Sequence, residues 1–83
     1  MDRSKIMLEI QNIFQKNFND DKLVINDSTN SEDIEDWDSL EQINLLTAIE
    51  GKFKIKFLLS DIKWLYNVGD LLDLLERVLE DKM

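Results

Sequence analysis

Hydrophobic residues recur along this chain at the spacing of helices rather than of strands. In the first segment they fall at positions i, i+4, i+7 and i+8, which places them on one face of a helix. These residues are Ile6, Ile10, Ile13, Phe14 and Phe18. The pattern predicts a first helix from about Arg3 to Phe18. Long alternating β-branched runs are missing, and a chain with no proline and only two glycines contains little that would break a helix.

A second helix is predicted to begin directly after Asp38. The Asp38 side chain can cap it, and Glu41, three residues later, completes an Asp-x-x-Glu variant of the capping box. Its buried stripe is expected to consist of Leu40, Ile43, Leu46 and Ile49, with Leu45 and Phe53 beside it. Gly51 is the expected end of this helix, with an extension to Lys52 or Phe53 left open.

Two further helices are predicted after an extended connector. Residues 52–57 alternate lysine with hydrophobic residues, but one short strand has nothing to pair with, so we interpret this stretch as a connector. Ser60 is expected to cap a short third helix over Asp61 to Tyr66, and Asn67 to cap the last helix, with Asp70 three residues on. The apolar residues of these helices are Ile62, Trp64, Leu65, Val68, Leu71, Leu72, Leu75, Val78 and Leu79.

The segment between the first two helices, residues 19–38, has no comparable periodicity. It contains eight acidic residues and one lysine, a net −7 of the total charge of −8. A loop of this length needs anchors in a compact domain. The expected anchors are Leu23, Val24, Ile25, Ile34 and Trp37. The sequence therefore predicts one all-α domain over residues 1–83, a small four-helix bundle of three main helices and one short helix with a long ordered loop.

Composition narrows the possible functions. With 10 basic and 18 acidic residues the chain is repelled by nucleic acid and by anionic membranes, and it suits basic patches on other proteins. It has neither cysteine nor histidine, which excludes disulfides, thiolate zinc sites, Cys–His pairs and Ser–His–Asp triads. Residues 33–41 lack the glycine of a calcium loop, so no resident metal is predicted. Without a membrane-spanning run or a signal-peptide pattern, the expected location is the cytoplasm.

Ser39 is the residue on which chemistry is expected. It occupies the first position of the second helix, where free backbone N–H groups and the positive end of the helix dipole favour an attached phosphate. Asp38 and its acidic neighbours can hold a divalent cation during phosphate transfer. On the tripeptide Asp38-Ser39-Leu40 alone, a simple helix start remains the alternative interpretation.

The surrounding residues extend this tripeptide to a family pattern. Glu35-Asp36-Trp37-Asp38-Ser39-Leu40, then Gln42 to Leu46, Ala48 to Phe53 and Asn67 to Leu72, resemble the acyl carrier protein family. The resemblance covers nearly the whole chain, including the leading helix, the acidic loop and the short third helix.

The resemblance implies a carrier without catalytic residues. In this family the serine of Asp-Ser-Leu receives 4′-phosphopantetheine from coenzyme A through a Mg²⁺-dependent phosphopantetheinyl transferase, and the thiol of the arm carries acyl groups as thioesters. By that analogy Ser39 is the attachment point, Asp38 caps the helix and assists the metal at loading, and Leu40 completes the site. The lack of cysteine fits an imported thiol, and the lack of histidine fits activation of Ser39 by another enzyme.

The resemblance also implies a recognition surface on the second helix. Glu41 and Glu50 are expected to face basic patches on loading and acceptor enzymes, with Asp36 of the acidic loop extending that surface. Trp37 either plugs the loop onto the core or contacts the arm or partner enzyme beside Ser39. A solvated acidic face without a partner is the alternative, and a monomer is expected.

Departures from the family pattern leave the cargo open. Carriers of fatty acid synthesis typically have small residues where this chain has Asp36-Trp37, and residues 39–63 carry four lysines against three acids. The Trp-Asp-Ser-Leu form is similar to specialised carriers of polyketide, aminoacyl or polysaccharide-modifying pathways. Two alternatives to an acyl carrier therefore stay open: a peptidyl or D-alanyl carrier with the same arm on Ser39, and an unmodified acidic helical adaptor.

Overall fold

The computed structural model describes residues 2–63 and 65–82 and consists of four helices. They are α1 (Arg3–Asn17), α2 (Ser39–Phe53), α3 (Leu59–Ile62) and α4 (Val68–Lys82). α1 packs against both α2 and α4. Over these residues there is no strand, so the prediction of three main helices, one short helix and a long loop is confirmed. Within the described part of the chain, no helix combines the length and hydropathy needed to cross a membrane.

A single hydrophobic core joins the three long helices and the loop. Its buried members are Ile6, Ile10, Phe14, Ile25, Ile34, Leu45, Leu46, Ile49, Ile55, Val68, Leu71, Leu72 and Leu75. The predicted stripes of α1 and α4 are confirmed, with Ile13, Phe18, Val78 and Leu79 partly buried at their margins. Trp64 was also assigned to a helix, but it lies outside the described residues.

The predicted stripe of α2 is wrong at its first two positions. Leu40 and Ile43 are 65% and 61% exposed, whereas Leu45, Leu46 and Ile49 are buried. The reason is geometric: consecutive i+3 steps fall short of a full helical turn by about 60° each, so a stripe built only of such steps drifts around the helix. Leu40 and Ile49 consequently lie on opposite sides of α2.

The long loop is ordered because it fastens to two helices. Ile25 and Ile34 are buried as predicted, whereas Val24 is 75% exposed, so its assignment as an anchor is wrong. The backbone N–H groups of Val68 and Gly69 each donate to loop carbonyls, those of Thr29 and Asp27, both at 2.8 Å. Since the first N–H groups of a helix have no partner within it, the loop itself satisfies the start of α4.

The predicted side-chain caps of α2 and α4 are present. Asp38 Oδ1 accepts from the N–H of Glu41 at 2.9 Å, and Asn67 Oδ1 accepts from the N–H of Asp70 at 2.8 Å. The reciprocal half of the capping box at α2 is wrong, because the N–H of Asp38 donates to the Asp36 carbonyl instead. These caps fix where α2 and α4 begin.

The helix boundaries on either side of the connector differ from the predicted end of α2 at Gly51 and the predicted start of α3 after Ser60. α2 passes through Gly51 and ends at Phe53, where Lys54 adopts the left-handed conformation with φ of 56°. The extension left open in the sequence is thus the observed end. α3 runs from Leu59 to Ile62, so the predicted bounds of Asp61 to Tyr66 are wrong at both ends. It begins after Leu58, which makes no side-chain cap, so the prediction of a Ser60 cap is also wrong.

The two glycines should respond oppositely to a methyl group. A Cβ on Gly69 would lie 2.9 Å from the Asp27 carbonyl oxygen, which cannot retreat without losing its hydrogen bond to the Gly69 N–H. A Cβ on Gly51 meets nothing within 4 Å. We expect Gly69→Ala to lower the free energy of unfolding by about 1–3 kcal/mol, and Gly51→Ala to raise it by about 0.5–1 kcal/mol.

Urea unfolding followed by circular dichroism measures both glycine variants against the parent chain. An unchanged or raised free energy of unfolding in Gly69→Ala would contradict the close docking of the loop onto α4.

Arg3 fastens the same region from the side of α1. Its guanidinium donates to Asp73 and Glu76 at 2.8 Å and to Asp27 at 3.2 Å, so it joins α1, the loop and α4. The hydrogen bonds to Glu76 and Asp73 raise the pKa of Arg3 above its ordinary value. The guanidinium therefore stays charged at any physiological pH.

Replacing Arg3 should weaken this fastening in a salt-dependent way. We expect Arg3→Ala to lower the free energy of unfolding by about 1 kcal/mol in low salt, since exposed ion pairs contribute about that much. The loss should shrink at about 1 M salt, where charges are strongly screened. Lys5→Ala, an exposed residue of the same turn, is the control. Equal losses at low and high salt would show that Arg3 acts through packing alone.

Candidate functional site

The start of α2 exposes a serine at the end of a capped helix. Ser39 is the first residue of α2 and is exposed. Asp38 folds its carboxylate back onto the N–H of Glu41, and its carbonyl accepts from the N–H of Gln42 at 2.9 Å. The cap holds the backbone around Ser39 in place without covering it. The Ser39 hydroxyl is therefore open to another protein while its backbone is fixed.

An open groove of about 530 Å³ lies beside Ser39. It runs from the end of the acidic loop across α2 toward α3. Its lining residues are Ser31, Trp37, Asp38, Ser39, Gln42, Ile43, Ile62, Leu65 and Tyr66. The lining combines polar and apolar side chains, so the groove can accommodate a flexible chain that contains both amide and methylene groups.

Trp37 connects this groove to the core. Its indole Nε1 donates to Gln42 Oε1 at 2.7 Å. Its ring meets that of Phe14 edge-to-face, with centroids 5.1 Å apart and an interplanar angle of 89°. Trp37 thus anchors the loop on the core, one of its two predicted roles, and also borders the groove that contains Ser39. Its proposed contact with a partner enzyme stays a prediction.

The acids assigned to partner recognition have intramolecular roles. The Glu41 carboxylate accepts from the side-chain amides of Asn17 at 3.1 Å and Asn44 at 2.8 Å, and is half-buried. Glu50 Oε2 accepts from the N–H of Phe57 at 2.9 Å and so fixes the connector after α2. Asp36 is exposed. Both glutamates therefore stabilise the fold, and their recognition role, like that of Asp36, stays a prediction.

Comparison with known proteins decides the family. No family model matches the chain, and no curated protein sequence does either. Among solved structures, 18 chains match. One, the solution NMR structure of a holo acyl carrier protein from Geobacter metallireducens, is 41% identical and superimposes with a TM-score of 0.86. The match covers 92% of this chain and 87% of that one. This chain belongs to the acyl carrier protein family.

Membership of this family confirms the resemblance seen in the sequence, and the four-helix arrangement is the fold of that family. As an acyl carrier protein, the chain has a carrier fold rather than the fold of an enzyme. Within the described residues, no group of three or more carboxylates is positioned to hold a metal ion together.

Sequence reasoning missed one feature of this acyl carrier protein, the exposure of several large apolar side chains, two of which, Ile43 and Tyr66, line the groove. On α2, at α3 and just after α3 these are Leu40, Ile43, Leu58, Leu59 and Tyr66, which are 61–80% exposed. The sequence analysis assigned Leu40 and Ile43 to the core. The three-residue steps from Leu40 to Ile49 could have revealed the error, because such a stripe turns around the helix and cannot be buried along its whole length. Large exposed apolar patches mark interaction sites. We call these five residues the exposed apolar surface.

Proposed function

We propose that this chain carries acyl intermediates as thioesters on a 4′-phosphopantetheine arm attached to the Oγ of Ser39. The observation that carries the proposal is the exposed Ser39 hydroxyl at the first position of α2, directly after the Asp38 cap, in a member of the acyl carrier protein family. The similar structure is that of a holo carrier, which supports a covalently attached group in general.

The proposed attachment needs a base and a metal from another enzyme. Ser39 Oγ forms a bond to the pantetheine-bearing phosphorus of coenzyme A, the pyrophosphate bond breaks, and adenosine 3′,5′-bisphosphate leaves. The chain contains no histidine to accept the serine proton, so a group on the phosphopantetheinyl transferase must take it. Mg²⁺ bound during loading, with Asp38 nearby, would balance the charge of the pyrophosphate.

The residues around Ser39 fit such an arm. The N-terminal end of α2 favours the negative charge of a phosphodiester. The Asp38 carboxylate is held on the N–H of Glu41, so it caps the helix beside Ser39. The groove beside Ser39 leaves room for the arm next to Trp37 and Leu65. When bound, the arm supplies the thiol that a chain without cysteine lacks.

Delivery would occur by transient contact with loading and acceptor enzymes that present basic patches. The proposed recognition residues are Asp36, Trp37 and Glu41 close to Ser39 in the sequence, and Glu50 about three turns further along α2. Electrostatic steering raises the rate of encounter more than the affinity, which suits a carrier that must dissociate. A cytoplasmic location and a monomeric state belong to the same proposal.

Intact-mass measurement tests the attachment. The protein is incubated with coenzyme A, Mg²⁺ and a broad-specificity phosphopantetheinyl transferase. We expect the mass to increase by one phosphopantetheine group, and fragmentation to place that group on Ser39. An unchanged mass, with a known carrier modified in a parallel reaction, would overturn the proposal in favour of an unmodified acidic adaptor.

A further inference from the structure

We propose that the side-chain amide of Gln42 binds the first part of the arm on Ser39, and that Trp37 is the residue that positions this amide. Gln42 Nε2 would donate to the hydroxyl and carbonyl oxygens that follow the phosphate of the arm. The proposal rests on the proposed function, because it needs an arm on Ser39. It goes further in naming the side chain that holds the arm against the protein and the groups that this side chain recognises.

The orientation of Gln42 follows from its hydrogen bond to Trp37. Trp37 Nε1 donates to Gln42 Oε1 at 2.7 Å. An indole N–H can only donate, so the oxygen of the Gln42 amide faces the indole and the nitrogen faces away from it. Trp37 is itself fixed by its edge-to-face contact with Phe14 of the core. The Gln42 amide is therefore held in one orientation before any arm is attached.

The Nε2 group of Gln42 is a donor that the fold does not use. The structure gives it no hydrogen bond to any described residue, and none of the buried side-chain nitrogens in that part of the chain lacks a partner, so Nε2 is open to solvent. Gln42 is half-buried and lines the groove beside Ser39. Because a carboxylate would satisfy the indole of Trp37 equally well, support of Trp37 does not account for an amide at this position.

The position of Gln42 on α2 matches the chemistry of the arm. Gln42 and Ile43 lie three and four residues after Ser39, so the three side chains share one face of the helix. In 4′-phosphopantetheine a carbon with two methyl groups, a hydroxyl and an amide carbonyl follow the phosphate in that order. The rise from Ser39 to Gln42 is about 4.5 Å, a distance that these few bonds can span. Ile43 offers the methyl groups an apolar contact, and Gln42 offers the two oxygens a donor.

The other polar side chains across the groove suit this role less well. Ser31 and Tyr66 also line the groove, but both are exposed, and the structure gives their hydroxyls no hydrogen bond to a described residue. Fixing a mobile side chain on binding costs conformational entropy, whereas Gln42 is already fixed by Trp37. We call the arm held by Gln42 the docked arm, and a partner enzyme must displace it to reach the thioester.

NMR of the protein before and after modification tests the proposal. Protein labelled with ¹³C and ¹⁵N is modified with unlabelled coenzyme A, Mg²⁺ and a broad-specificity transferase, and intact mass verifies each sample. We expect the Gln42 side-chain amide to shift on modification, and NOEs to appear between the methyl groups of the arm and Ile43. The side-chain amide of Gln15, which donates to the Leu23 carbonyl at 2.8 Å, is the internal control and should not shift.

Gln42→Met is the first variant, because methionine keeps the length of glutamine but has no N–H to donate. Loss of one hydrogen bond should lower the ratio of docked to free arm, measured from the NOEs to Ile43, about three- to tenfold. Asn44→Met is the matched control on the same helix. Asn44 is exposed, donates to a neighbouring carboxylate at 2.8 Å and does not line the groove, so its variant should keep the NOEs.

Two further variants separate binding of the arm from support of Trp37. Gln42→Glu keeps an acceptor for the indole but has no N–H, so it should also lose the docked arm. The loss should persist at about 1 M salt, where repulsion between the new carboxylate and the phosphate is screened. Trp37→Phe keeps an aromatic ring but releases the Gln42 amide, and should give a smaller loss than Gln42→Met.

Three results would overturn the proposal: a Gln42 amide that does not shift on modification of the parent chain, full NOEs in Gln42→Glu at high salt, or an equal loss in Asn44→Met. The first of these needs no variant, so it decides even if a variant fails to fold. An increase in mass without a shift of the Gln42 amide removes only the role of Gln42. An unchanged mass removes the arm on Ser39 and this proposal with it.

Discussion

Ser39→Ala is expected to abolish loading from coenzyme A completely. Alanine lacks the Oγ that would bond to phosphorus, so the mass should stay unchanged after incubation with the transferase and Mg²⁺. Because Ser39 is exposed, the free energy of unfolding should change by no more than about 0.5 kcal/mol. Intact-mass measurement and urea unfolding check the two expectations.

Ser4→Ala is the matched control for this variant. Ser4 is an exposed serine in the first turn of α1, a helix whose cap is also an aspartate, Asp2, which accepts from the N–H of Lys5 at 3.0 Å. The Ser4 variant should load normally, because Ser39 is unchanged in it. The start of α1 has a capped, exposed serine but not the groove and the acidic loop that adjoin Ser39. If Ser39→Ala still loads and Ser4→Ala does not, the arm is attached to Ser4 of α1, and the proposed attachment to Ser39 is wrong.

Leu72→Ala is expected to lower the free energy of unfolding by about 2–5 kcal/mol. Leu72 is 0% exposed and belongs to the core that joins the three long helices, so truncation leaves a cavity that the helices cannot readily close. Leu46→Ala, buried on α2, should cost an amount in the same range. Urea unfolding monitored by circular dichroism gives the values.

Leu40→Ala separates the observed register of α2 from the predicted one. Leu40 is 65% exposed, so its truncation should change the free energy of unfolding by less than about 0.5 kcal/mol. A loss comparable with that of Leu72→Ala would mean that Leu40 is buried in solution, and the exposed apolar surface would lose one of its members.

Local signals in the sequence predict most of the fold. Asp38 and Asn67 mark the starts of α2 and α4 because a side-chain acceptor at a helix start leaves a short, readable pattern. The stripes of α1 and α4 succeed because they combine three- and four-residue steps and so stay on one face. The same local pattern around Ser39 identified the candidate site and the family.

The failures lie where tertiary contacts decide. Which side of α2 faces the core depends on α1, against which it packs, and a stripe of i+3 steps does not record that choice. The partners of Val68 and Gly69 are carbonyls of a loop some forty residues away, and every residue has a carbonyl. Because these contacts are made by backbone groups, no side-chain pattern in the sequence indicates them, and the docking of the loop onto α4 could not be predicted.

The packing of Trp37 allows its intrinsic fluorescence to report on the groove beside Ser39. Its indole touches the core through Phe14, bonds to Gln42 and borders the groove next to Ser39. The chain has two tryptophans and one tyrosine, so Trp64→Phe leaves Trp37 as the single tryptophan, two positions from the serine, and excitation at the red edge of the absorption band selects it over the tyrosine. Its emission wavelength and quenching will then register whatever enters or leaves that groove, in real time and without a label.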